Sequence, residues 1–152
     1  MKYVGLDLGS VTCGVSKSEG FFASPVKTIR FKSEDYDMAL DLVLEYVKQE
    51  KPDLIVLGYP LLENGDAGEK AQLCEQFGKF LQEESGIQVV LQDERYTTRD
   101  SQDFLISIDM SRKKRKKIID QQAAVRILEY YMQNEKEKAL MAQKRDQDDQ
   151  KH

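Results

Sequence analysis

The sequence predicts an α/β fold, a mixed five-stranded sheet with flanking helices, and three observations carry that prediction. The first 31 residues hold three short β-prone segments separated by glycine and proline, close enough in sequence only for hairpins. Beyond them the apolar period becomes helical, and helical stretches alternate with two short apolar runs. The length of 152 residues suits one domain, which at this size buries roughly 70% of the surface its unfolded chain exposes and needs no disulfide staple.

Taken in order, Lys2 to Leu8 reads as the first strand, with Tyr3, Val4 and Leu6 apolar, and it runs into a turn at Gly9-Ser10. Gly14 to Ser18 and Val26 to Phe31 are the next two, divided by Gly20 and Pro25, which gives an antiparallel meander. From Tyr36 to Val47 the apolar positions 36, 39, 40, 43 and 47 predict a helix, closed by Pro52. Asp53 to Gly58 (DLIVLG) is a strand buried on both faces. A helix over about 67–84 follows, its stripe formed by Ala71, Cys74, Phe77, Phe80 and Leu81 and its stop by Gly86. Ile87 to Leu91 is the fifth strand, Arg99 to Ile108 a short helix capped by Thr97 or Thr98, and about Ile118 to Gln133 the last helix.

Composition then excludes most chemistries. The single histidine is His152, in a polar tail, so Ser-His-Asp and Cys-His mechanisms and histidine zinc sites have no imidazole to use. Cys13 and Cys74 form no CxxC pair and follow no leader-like segment, so they read as buried thiols of a cytoplasmic protein. No run approaches 18 apolar residues, which argues against a membrane span. A hydrolase of this composition must work with carboxylates and metal.

Three acidic positions end strands or break apolar stripes. Asp7 closes the first strand, where it is either a turn former or a functional group. Asp93 and Glu94 follow the fifth strand, and alternation sends them to opposite faces, so only one of them faces a given site. Asp120 shares a helix side with Ala124, Ile127 and Tyr131, which makes it either the helix cap or an acid on the core-facing stripe. Asp7, Glu94 and Asp120 brought together would form an oxygen-lined site for Mg²⁺ or Mn²⁺. Paired ions in such a site hydrolyse phosphodiesters without histidine.

Several motifs follow one another in the order and spacing of a known family. Tyr3-Val4-Gly5-Leu6-Asp7-Leu8-Gly9-Ser10, Gly14-Val15-Ser16, Gly58-Tyr59-Pro60-Leu61, Asp93-Glu94-Arg95-Tyr96-Thr97-Thr98 and Asp120-Gln121-Gln122-Ala123-Ala124-Val125-Arg126-Ile127-Leu128 resemble the YqgF/RuvX family of Holliday-junction-resolvase-like proteins, also described as pre-16S rRNA nucleases. The resemblance implies a ribonuclease H-like nuclease domain over residues 1–135, with 136–152 left as a polar tail, a frayed helix or disordered. It also implies a cytoplasmic, metal-dependent endonuclease that processes the 5′ end of 16S ribosomal RNA. The family's acidic positions fall on Asp7, Glu94 and Asp120, with Asp93 as the alternative to Glu94. The chain departs from the pattern at Val11, where relatives carry a basic residue, and at Ser18-Glu19, where Ser-Asp is customary.

The net charge of −4 hides a run of six cations, Arg112, Lys113, Lys114, Arg115, Lys116 and Lys117, just before the helix bearing Asp120. Arg95 and Arg99 follow the other acids. Such a run is either a solvated loop or an electrostatic footprint for a polyanion, and a cationic rim beside a metal centre suits structured RNA or branched DNA. Tyr59, Tyr96, Tyr130 and Tyr131 are better placed for the core than for base stacking. The readings left open are a Holliday-junction resolvase, a non-catalytic RNA-binding assembly factor, and a nucleotide-hydrolysing module. The last follows from Asp7-Leu8-Gly9-Ser10, which also resembles the phosphate-binding hairpin of the actin and sugar-kinase superfamily. Those proteins close two such domains over a nucleotide, and this chain supplies one. Oligomeric state, a homodimer included, is open as well.

Overall fold

A computed structural model describes the backbone of residues 1–94 and 112–150 and the side chains of 1–94 and 121–145. β1 (Tyr3–Leu8), β2 (Thr12–Ser18) and β3 (Ala23–Arg30) form the expected meander. β1 and β2 pair antiparallel from Tyr3↔Ser18 to Leu8↔Cys13. The chain then adds α1 (Tyr36–Glu50), β4 (Leu54–Tyr59), α2 (Glu69–Ser85), β5 (Val89–Asp93) and α3 (Arg112–Gln150). β4 pairs parallel with β1 and β5 parallel with β4, giving the sheet order β3-β2-β1-β4-β5. Parallel neighbours require crossovers, and α1 and α2 are those crossovers.

Strand alternation divides the core into two layers. On one face Val4, Leu6, Cys13, Val15, Ile55 and Leu57 pack against Val43 and Val47 of α1 and Cys74, Phe77 and Leu81 of α2. On the other face Leu54 and Val56 meet Ile127, Leu128 and Met132 of α3. The second contact is close at Gly5, where a Cβ would lie 2.6 Å from Leu128 Cγ and 2.9 Å from the Ala124 carbonyl oxygen. Ser16 Oγ donates to that same carbonyl at 2.7 Å, fixing α3 across β1 and β2. Both cysteines are buried, and neither forms a disulfide.

The helix ends follow local chemistry. Asp35 caps α1 by accepting from the Met38 N–H at 3.1 Å, and Gly86 ends α2 with its N–H on the Gln82 carbonyl at 2.9 Å.

Several boundaries differ from expectation. α1 continues past Val47 to Glu50. β5 starts two residues after Ile87, because the Ile87 N–H bonds to Ser85 Oγ in the cap turn of α2. The last helix begins at Arg112 rather than Ile118 and runs to Gln150 rather than Gln133. Lysine, arginine, glutamine and glutamate are good helix formers, so a charged run continues a helix while carrying no apolar period to announce it. The short helix expected at 99–108 lies outside the described residues. Among the described residues no helix is long and apolar enough to cross a membrane.

Candidate active site

Because Val4 and Leu6 point toward α1 and α2, Gly5 and Asp7 point to the α3 face. Asp7 pairs with Gly14 on one side. On the other, the register of β1 with β4 (Leu6↔Leu57) brings it level with Gly58. β5 continues the level, with Gly58↔Gln92 and Tyr59↔Asp93. The Glu94 N–H then donates to the Tyr59 carbonyl at 3.3 Å, holding Glu94 at the C-terminal end of the sheet. Its side chain folds back over Gly58 and hydrogen-bonds to Asp7.

Asp7 and Glu94 therefore meet. Burial pushes the Glu94 carboxyl up to about 9, and the charge of Asp7 and the hydrogen bond between them act in the same direction. The Lys70 ammonium opposes the rise, and Asp93 adds to it. The pair therefore binds a proton more tightly than an isolated carboxyl does. The neighbouring Cys74 thiol is pushed up to about 12, first by burial and then by Glu94 and Asp7.

Of the two adjacent acids, it is Glu94 that reaches Asp7. Asp93 shares its strand face with Leu91, which lies toward Gly78 of α2. Position 120 lies on α3 one turn before Ala124, whose carbonyl is level with Gly5. The side chain of Asp120 lies outside the described residues. Among the described residues no cluster of three or more His, Cys, Asp or Glu forms. Arg95 and Arg99 lie outside the described residues. Arg112, Lys113, Lys114, Arg115, Lys116 and Lys117 occupy the first turns of α3, with side chains likewise outside.

Two features of the site escape a reading of the sequence. Lys70 lies one turn before Cys74 on the side of α2 that Phe77 and Leu81 continue into the core, and its spacing alone does not show that it faces Glu94. Tyr59, read as better placed for the core than for stacking, instead donates its hydroxyl to Glu75 near the surface and ties the end of β4 to α2. Tyr131, expected to serve the core rather than to stack on bases, packs edge-on against Tyr3 with ring centroids 6.1 Å apart, partly buried against the α3 layer. The turn containing Val11 is fixed by its backbone: the Val11 carbonyl accepts from the Phe31 N–H at 3.0 Å, and Gly9 N–H donates to Thr12 at 2.7 Å.

Residues 1–134 match the family model described as RuvX, Holliday junction resolvase. A Bacillus subtilis protein named "Putative pre-16S rRNA nuclease" is 41% identical over 134 residues, covering 87% of this chain and 97% of its own length. A Lactococcus lactis protein of the same name is 41% identical over 133 residues, covering 86% and 93%. Among solved structures, Thermus thermophilus RuvC in complex with a Holliday junction superposes with a TM-score of 0.57 at 11% identity, over 88% of this chain and 95% of that one. Fowlpox virus resolvase bound to Holliday junction DNA gives 0.56 at 13% identity, over 88% and 98%. At such identities the likeness is one of fold.

Proposed function

The chain belongs to the RuvX family, and from that premise we propose that it is a cytoplasmic, divalent-metal-dependent endonuclease that processes the 5′ end of pre-16S ribosomal RNA. The observation that carries this reading is the meeting of Asp7 and Glu94 at the C-terminal edge of the sheet. In open α/β sheets that edge, outside the strand ends, is where ligands bind.

The residues present fit a hard cation. Two carboxyl groups in hydrogen-bonded contact, partly removed from water, become an all-oxygen anionic donor set once the shared proton leaves. In this reading Asp7, Glu94 and Asp120 hold Mg²⁺ or Mn²⁺, with Asp120 supplied from α3. The bound ion supplies acidification of a water and neutralisation of charge on the scissile phosphate. The chain's own part is to hold the acids on three different elements and to keep His-free chemistry within a rigid frame. The cations at 112–117, together with Arg95 and Arg99, position the strand through its phosphates and so read backbone rather than sequence.

The family description names Holliday junctions, which makes a four-way DNA junction the second substrate to examine. Parallel cleavage of an RNA transcript spanning the 5′ flank of 16S rRNA and of a synthetic junction, with Mg²⁺ or Mn²⁺, separates the readings. Faster cleavage of the transcript supports the proposal, and faster cleavage of the junction replaces it with the resolvase. Binding of either without turnover under both metals reduces the chain to an assembly factor.

A further inference from the structure

β4 is the strand between β1 and β5, and its residues Leu54 to Leu57 are all buried and bulky. Gly58 interrupts that run. Glycine inside a central strand weakens it and marks a place where another group approaches closely. The backbone does not demand it, since the positive-φ glycines among the described residues are Gly20, Gly65 and Gly86. Space does. A Cβ built at Gly58 would overlap Glu94 Oε2, lie 3.1 Å from Glu94 Cδ and lie 2.6 Å from Ile127 Cδ1.

We propose that Gly58 is a positioning residue for the acid pair: the volume left by its missing side chain is the seat in which the Glu94 carboxylate rests against Asp7, with Ile127 of α3 closing it. β1 and β5 are not neighbours in the sheet, so an acid at the end of β5 meets Asp7 only by crossing β4. A side chain on β4 at that level would lift Glu94 away from Asp7. Ile127 ties the same seat to α3, the helix that carries Asp120, so one packing contact sets the relative height of three elements. The inference rests on the reading of Asp7 and Glu94 as cation ligands.

The test measures Mn²⁺ affinity and thermal midpoint on the full chain for wild type, Asp7→Asn, Gly58→Ala, Ile127→Val and the double variant Gly58→Ala/Ile127→Val. Displacing a group that orients a ligand costs about 10–100-fold in metal affinity. The expected result is a loss of that size in Gly58→Ala and near-native affinity in Ile127→Val. In the double variant, removal of Cδ1 restores thermal stability while affinity stays low. Affinity in Gly58→Ala within twofold of wild type overturns the inference, and so does recovery of affinity together with stability in the double variant. If wild type binds Mn²⁺ no better than Asp7→Asn, the ligand reading itself fails and the seat has nothing to position.

Discussion

Glu94 hydrogen-bonds to Asp7 across the width of β4, so strands that are not neighbours deliver one acid pair to the end of the sheet. The arrangement follows from alternation and register. Asp7 faces α3 because Leu6 faces the opposite layer, and Glu94 faces α3 because β5 ends one residue earlier at Asp93 opposite Tyr59.

The pair makes the metal-free protein sensitive to pH. A carboxyl whose folded-state pKa of about 9 exceeds its ordinary 4.5 contributes stability that is fully present below 4.5 and is lost as pH rises toward 9. In metal-free buffer the thermal midpoint therefore falls between pH 5 and pH 9 by more in wild type than in Glu94→Gln. Saturating Mn²⁺ reverses part of the wild-type fall. Equal pH slopes for the two proteins contradict this.

The packing of α3 on β1 makes a separate prediction. Gly5→Ala places a methyl against Leu128 Cγ and the Ala124 carbonyl, an overpacked contact that costs about 1–3 kcal/mol. Urea unfolding measures it, and a loss below about 0.5 kcal/mol would show that the helix shifts freely.

Cys13 and Cys74 are buried, and Cys74 is held well above the range in which a thiolate forms. Both thiols should stay unreactive toward an aromatic disulfide reagent at pH 8 in the folded protein and react on unfolding. Rapid native-state labelling of Cys74 would show that the layer between α2 and the sheet opens.

Replacing all six cations from Arg112 to Lys117 by glutamine should weaken RNA binding uniformly across sequences. The slope of log K against log salt falls by about 0.7 for each lost contact to a single strand. Filter binding with the Asp7→Asn protein, which separates binding from cleavage, reads the slope, while Mn²⁺ affinity of otherwise wild-type protein stays unchanged. An unaltered slope would place the RNA elsewhere.

Much of this was legible in the sequence because period and punctuation report local structure. The meander, the α1 stripe, the run before Gly58 and the Gly86 stop are all local signals, and the elements sit where those signals put them to within a few residues. The placement of acids at strand ends was legible for the same reason. The choice of Glu94 over Asp93 at Asp7 was not, since it depends on the pairing Tyr59↔Asp93, which joins separate segments. Neither was the start of α3 in a run of cations, nor the seat at Gly58, which exists only once β1, β5 and α3 surround it.

The most direct test of the central claim is the single-turnover rate of cleavage of the 16S leader transcript with Mn²⁺, compared between wild type, Asp7→Asn and Glu94→Gln. The acid pair predicts cleavage by wild type and a loss of about 100-fold or more in each variant, with the fold retained. Equal rates in wild type and both variants would contradict it.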